Sequence, residues 1–356
     1  MTHPVHTPVV AADGGLVRFA LADLLSASVP SMRIELSDAA AAEPWLTRLV
    51  GAEAGLTALA EGHADVPARP ELATLALLLW IRRWWPASPA LGVPSLDPAL
   101  LDLEAAVATA AIEDLAEGLL DGFEATPAEL FDAAIAGDAL LAMAPPVADE
   151  VRGLCTRLSA WFDEQDDVAR AEAAADLAAG METAAPGQRA YALAAGADST
   201  VLGEGVLAEG HASVDWARVP PGVLDAAEGT VTWRITTSMT AARLEIDVAG
   251  AFADAALTAV ATYDGEPFAE VPLALGAGRF VVTADLDEAA ARLVATRSLH
   301  SGHIGLIVGV AAEGVAGTTA EDRAEVVSLV RAREALPPEA RTLAERAAAA
   351  SADEEF

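Results

Sequence analysis

The sequence predicts an α+β protein in two parts: an all-α, Ala-rich N-terminal domain, then a small antiparallel β-sandwich-like domain that ends in a charged helical tail. Three observations carry this. Apolar residues recur at three- and four-residue spacing from about residue 16 to about 200. Beyond about residue 223 the period becomes two. Between them, residues 203–222 turn to Gly, Pro and polar side chains and read as a linker. The expected boundaries are therefore 1–202, 203–222, 223–316 and 317–356.

In chain order, the run Leu75 to Ile81 ends in Arg82 and Arg83, far short of the roughly 20 apolar residues needed to cross a bilayer. Asp97-Pro98 opens a helix, since proline suits a first helical position whose N–H is unpaired anyway. Thr126-Pro127-Ala128-Glu129 is a capping box, and Pro145-Pro146 breaks the helix it starts. The next helix, from Val147 to Phe162, presents Val147, Val151, Leu154, Leu158 and Trp161 as one stripe, and another runs from Val168 to Met181. In the second part Val231, Trp233 and Ile235, then Leu244, Ile246 and Val248, alternate with polar residues as half-buried strands do. Strands over 257–263 and 268–275 flank Asp264-Gly265, a two-residue hairpin signal. Strands over 280–286 and 304–310, a short helix over 288–296 and a helical tail over 319–350 complete the prediction.

Composition excludes several chemistries. The 356 residues include 54 acidic and 21 basic side chains, for a net charge of -33, and every basic residue is arginine. Without lysine there is no P-loop, Schiff-base lysine or kinase lysine, and without asparagine no N-glycosylation site. This composition suits a high-GC bacterial genome, with halophilic adaptation as the alternative source of the acidity. A field of this sign disfavours direct contact with nucleic acid or anionic membrane. The single cysteine, Cys155, has no intramolecular disulfide partner, and Met1-Thr2-His3-Pro4 lacks the basic start of a signal peptide, so a cytoplasmic location is expected.

Candidate sites are few, and each has a structural alternative. Trp80, Trp84 and Trp85 surround Arg82 and Arg83, the residue types that dominate interface hot spots; the alternative is that the indoles anchor the helical core. Residues 84–151 hold 13 acidic and no basic side chains, which reads as solvated helix faces or as a surface that steers a basic partner. His300-Ser301-Gly302-His303 offers two imidazoles for a metal, or a base beside a serine nucleophile, and equally a turn into the following strand. Gly203-Glu204-Gly205-Val206-Leu207-Ala208 fits the dinucleotide fingerprint but lacks a preceding buried strand. The pentads Glu61-Gly62-His63-Ala64-Asp65 and Glu209-Gly210-His211-Ala212-Ser213 look alike, as an Ala- and Gly-rich chain produces by chance. Cys155 between Leu154 and Leu158 reads as a small core residue.

Three functional readings follow. The first is a non-enzymatic adaptor without cofactor, an accessory subunit of a bacterial multi-component system, including a defence system. It binds a protein partner through the acidic segment and Trp80, Arg82, Arg83, Trp84 and Trp85. The second is a metal-assisted or serine hydrolase using His300, Ser301 and His303, with Asp215 or Asp225 as acidic partner. The third is a self-assembling structural protein, a homo-oligomer or shell.

Overall fold

The computed structural model describes residues 3–26, 30–121, 123, 125–137, 139–143, 145–183, 205–238, 241–250, 253, 255–296, 303–310 and 317–353. The chain divides into two compact units. One comprises 1–83, 96–190 and 325–356, and the other 84–95 and 191–324.

The first unit corrects the all-α expectation, because it opens with a four-stranded antiparallel sheet. Strands β1 (Val9–Ala12), β2 (Gly15–Phe19), β3 (Ser31–Leu36) and β4 (His63–Pro67) pair in sequence order. Val10, Val17, Phe19, Met32 and Ile34 point into the core, their neighbours outward. These strands of four to six residues offer only two or three alternations each, too few to stand out among helix-forming alanines. The β1–β2 turn rests on Gly14, at φ +69°, where an added Cβ would meet the Asp38 carbonyl oxygen at 2.3 Å. Only glycine fits there. Beside β2 lies the short α1 (Leu21–Leu24), and between β3 and β4 lie α2 (Ala39–Val50) and α3 (Ala52–Glu61). Asp38 caps α2 by accepting the amides of Ala40 and Ala41, and α2 buries Ala42, Trp45, Leu46 and Leu49, one helical face. Gly62, left-handed, ends α3.

The helices that follow agree with the sequence except at one break. The helix begun by the Thr126 box already ends at Ala134, and Pro145-Pro146 open the next helix instead of stopping the last, as prolines in a first helical turn can. In order, these helices are α4 (Pro70–Trp84), α5 (Pro98–Leu115), α6 (Pro127–Ala134), α7 (Pro145–Glu164) and α8 (Val168–Thr183). Asp97 and the Thr126–Glu129 box cap α5 and α6 as the sequence implies. The buried stripe of α7 closes on Phe162 instead of Trp161, because the 4-3-4 spacing from Val151 through Cys155 and Leu158 leads there. Phe162 packs against Phe131 of α6 at a ring distance of 5.4 Å. Alanines 171, 174 and 178 with Met181 line the buried side of α8, and small side chains let α7 approach closely. The tail is two helices, α10 (Ala320–Glu334) and α11 (Leu343–Asp353), parted by Pro337 and Pro338, which no continuous helix accommodates.

In the second unit, residues 205–212 are not linker but β5 (Gly205–Ala212), the edge of a five-stranded antiparallel sheet. Its partners are β6 (Val231–Thr237) and β7 (Ala242–Val248), then β11 (Arg279–Asp285) and β10 (Ala274–Gly276). A second sheet holds β8 (Thr258–Tyr263), β9 (Glu266–Pro272) and β12 (Ile304–Gly309), with α9 (Glu288–Thr296) between β11 and β12. The two sheets share one core. Val231, Trp233, Ile235, Leu244, Ile246, Val248 and Phe280 meet Ala259, Ala261, Val271, Leu306 and Val308 there. Burial of a side chain like Phe280 stabilises the fold by about 1.5–3 kcal/mol. The outer face of the larger sheet is charged across its strands: Arg243 faces Asp285 and Arg234 faces Glu209 in register, and Arg279 reaches Asp247 on the diagonal. The Asp264-Gly265 turn has positive φ at both residues, +51° and +86°, as the hairpin signal requires. The two look-alike pentads are structurally unrelated, since Gly62 terminates a helix while Gly210 lies inside β5 under the Trp233 ring.

Candidate functional site

The Trp/Arg cluster lies at the C-terminal end of α4. Trp80 is buried, and its indole N–H donates to the Val5 carbonyl at 2.7 Å. Trp85 is buried too, past the helix end, donating to the Pro94 carbonyl at 2.8 Å across a small turn closed by Ser88 and Val93. A buried indole satisfies its single donor in this way, and the two residues act as core anchors. Arg82 pairs with Asp102 of α5 at 2.5 Å. Burial raises the Asp102 pKa against the opposing pull of Arg82. Arg83 and Trp84 are half-buried.

The segment without basic residues receives them from elsewhere in the chain. Arg48 of α2 reaches Glu117, Arg82 reaches Asp102, Arg170 of α8 reaches Asp132 at 2.7 Å and Arg346 of α11 pairs with Glu150. Glu129 and Asp97 cap helices, Asp149 pairs with Arg152, and Asp114 accepts the Trp161 indole N–H at 3.2 Å. Even with Glu117 paired to Arg48 and Asp114 bonded to Trp161, acids outnumber arginines at and just past the C-terminal end of α5, where Glu113, Asp114, Glu117 and Asp121 gather. The Glu113 pKa is raised, first by burial and then by the charges of Asp121, Asp114 and Glu117. Carboxylates at this end also oppose the helix macrodipole. Helical spacing does not locate this patch, because α5 ends at Leu115 and Glu117 and Asp121 come to Glu113 through the turns that follow.

The histidine motif is described only at its last residue; His300 and Ser301 lie outside the described residues. His303 precedes β12, and its Nδ1 lies 2.6 Å from Oδ1 of Asp264 in the β8–β9 turn. The two residues are held together by the backbone as well, the Asp264 amide donating to the His303 carbonyl at 2.8 Å. The imidazole stacks on Tyr263, ring centroids 5.8 Å apart and planes within 15°. A carboxylate at Nδ1 fixes the tautomer and orientation of an imidazole, the geometry that hydrolases and metal sites use. Here both side chains are about half exposed, at 50% and 53%.

The acid beside His303 is therefore Asp264, which corrects the expectation of Asp215 or Asp225. Asp215 accepts hydrogen bonds from the amides of Ala217 and Thr318 and from the Thr318 hydroxyl. Asp225 is buried and accepts the Ala227 amide at 2.9 Å. Asp225 is thus a local backbone cap, while Asp215, which also pairs with Arg218, ties its own turn to Thr318. Asp264 carries a turn signal in the sequence, and nothing in a 39-residue separation reveals its partner.

Of the dinucleotide-like stretch, Gly205 to Ala208 lie within the strand β5, with no helix start after them. Cys155 is buried in α7, and burial pushes its thiol up to about 12. Among the described residues no three His, Cys, Asp or Glu side chains are grouped to hold a metal ion. No helix of the described residues is long and apolar enough to cross a membrane. An open cleft beside α3 and β4 is lined by Glu53, Glu61, His63 and Asp65, with Asp65 paired to Arg33. No family model, no curated protein and no solved structure matches the chain.

Proposed function

We propose that this chain is a non-enzymatic interaction protein, a cytoplasmic accessory subunit of a bacterial multi-component system, a defence system being one kind, that offers an acidic surface to a basic protein partner. The observation that carries this reading is the carboxylate group at the end of α5. Glu113, whose ionisation is opposed first by burial and then by the charges of Asp121, Asp114 and Glu117, sits at the unfavourable pole of a helix and works against stability. A surface that accepts such a cost fits a complementary charge supplied from outside, which speeds encounter and makes it salt-sensitive. Arg83 and Trp84 supply the half-buried part of the Trp/Arg reading that solvent still reaches, Trp80, Arg82 and Trp85 its support.

The test is capture of bound proteins by the tagged full chain at low and high salt, compared with the fourfold variant E113Q/D114N/E117Q/D121N. A stoichiometric basic partner, released by salt and absent from the variant, is the expected result. Equal capture by both chains overturns the role of this surface. The variant itself is expected to be at least as stable as the parent, so lost capture is not lost folding.

A second reading, hydrolysis near His303, is favoured by the His303–Asp264 hydrogen bond and the Tyr263 stack. Near-stoichiometric zinc on the purified protein, or a hydrolysis abolished in His303→Ala and in Asp264→Asn alike, would select it over the adaptor. The third, self-assembly, is read directly from the mass in solution.

A further inference from the structure

A β-sheet ends in strands whose outer backbone groups have no neighbouring strand, and such edges invite pairing unless something blocks them. Most edges among the described residues are blocked. In the first unit β1 has four residues and β4 closes on Pro67. In the second, β10 has three, β9 carries Pro267 and Pro272, and the end of β12 meets the Arg218 carbonyl, which accepts the Val310 amide. The exception is β5, eight residues long, without proline, and paired among the described residues with β6 alone. β12 of the other sheet touches β5 without pairing with it. Val206 and Leu207 of β5 are exposed, beside a bulge that shifts its register with β6. From Ala208 to Ala212 the strand is regular. Ala208, Gly210 and Ala212 lie on the inner face, opposite Ile235, Trp233 and Val231, while Glu209 and His211 lie on the outer face, exposed.

We propose that this edge pairs with the same edge of a second copy of the chain, β5 antiparallel to β5 about a two-fold axis through Gly210, so that the two larger sheets join into one. Residues opposite one another across an antiparallel pair share a face of the sheet. Inner positions must therefore meet inner positions, and the axis passes through a residue and not between two. Through Gly210 it sets Ala208 against Ala212 and Glu209 against His211, each pair occurring twice. The inner face then brings together only alanine and glycine, which raise no steric obstacle. On the outer face each carboxylate gains an imidazole, which can donate a hydrogen bond and, when protonated, supplies the opposite charge. An axis through Glu209 would oppose two carboxylates, and one through His211 two imidazoles, so charge selects the Gly210 register. Glu209 already lies 3.3 Å from Arg234 of β6, which offsets its charge within the sheet and holds it on the outer face where the partner's strand arrives. A self-complementary contact of this kind closes at two copies. The inference stands without the acidic surface of α5, which belongs to the other unit.

The mass of the full chain in solution, followed by sedimentation velocity over a range of concentrations, tests the pairing. A reversible monomer–dimer equilibrium is expected. His211→Glu, at an exposed position, opposes like charges at both crossings and should weaken the dimer roughly tenfold, whereas His211→Arg should hold it at least as tightly as the parent. Disulfides read the register. Glu209→Cys together with His211→Cys should link two copies on mild oxidation, and neither single variant should, because equal residues other than Gly210 do not face each other. The native Cys155 is buried and takes no part. A parent chain that stays monomeric at every concentration overturns the proposal. So does a dimer equally stable in the parent and in His211→Glu, or one that either single cysteine variant links.

Discussion

Arg333 and Glu345 form an ion pair that water scarcely reaches, with side chains 3% and 4% exposed. Taking away one partner leaves the other charge buried, so Arg333→Met should lower the unfolding free energy by about 3–5 kcal/mol in urea denaturation. Arg333→Met with Glu345→Leu should recover part of that loss, short of full recovery because Glu345 also accepts the Thr342 amide. Glu228 has its pKa lowered, chiefly by the hydrogen bonds from Arg323. A depressed carboxylate adds stability above its unfolded value and loses it as pH falls through the folded one. Arg323→Leu should therefore flatten the acid limb of a stability-against-pH curve, measured by thermal unfolding from pH 3 to pH 7. At Cys155, burial and a raised pKa predict no reaction with a chromogenic disulfide reagent at pH 8 until denaturant is added. Single residues divide sharply in what their sequence discloses. The capping duty of Thr126 and Glu129 is local, contained in four positions, and readable. The Asp264–His303 contact depends on how distant segments meet, which no local spacing encodes. So does the cap that Glu104 of α5 forms on α11, accepting the Leu343 and Ala344 amides at 2.7 and 3.1 Å.

Elements were legible according to their length and periodicity. Helices of fifteen to twenty residues, such as α5, α7 and α8, repeat their pattern several times, and their ends carry proline and capping signals. The sandwich strands β6 and β7 alternate over seven residues with β-branched and aromatic inward positions, enough to set the period. Strands β1 to β4 are shorter and lie among alanines and leucines that satisfy a helical period equally well. Yet Asp13-Gly14 is the same turn dipeptide that reveals the β8–β9 hairpin, and it marks β1–β2 here. The structure gives that glycine a measurable weight. Gly14→Ala imposes positive φ on a side chain and drives its Cβ into a backbone oxygen, so a loss of about 1–3 kcal/mol is expected in chemical denaturation. Thr126→Ala, which removes one side of the α6 capping box, should cost about 1 kcal/mol by the same measurement.

At the scale of the molecule, the change of period near residue 223 announces the longer antiparallel strands, but not which other residues belong with them. Residues 84–95, early in the chain, belong with 191–324: the Ala226 amide donates to the Ala87 carbonyl, and Trp85 is buried in that segment. A cut at residue 203 therefore strands this arm on the wrong fragment. Residues 205–324 expressed alone should unfold without a cooperative transition, whereas the same span with 84–95 joined through a flexible linker should regain one, as calorimetry would show. The acidic segment repeats the lesson, since the arginines that neutralise it arrive from residues 48, 82, 170 and 346.

The division of the chain also sets an order of events during synthesis. Translation delivers residues from the N-terminus, and domains usually become foldable in that order. The second unit has all of its residues once position 324 has emerged, while the first, begun at the N-terminus, waits for 325–353. The unit that starts first is thus the last to be finished. Until α11 leaves the ribosome, Glu104 lacks the amides it will cap, so a chain interrupted between residues 324 and 343 carries every residue of the second unit and an unfinished first one.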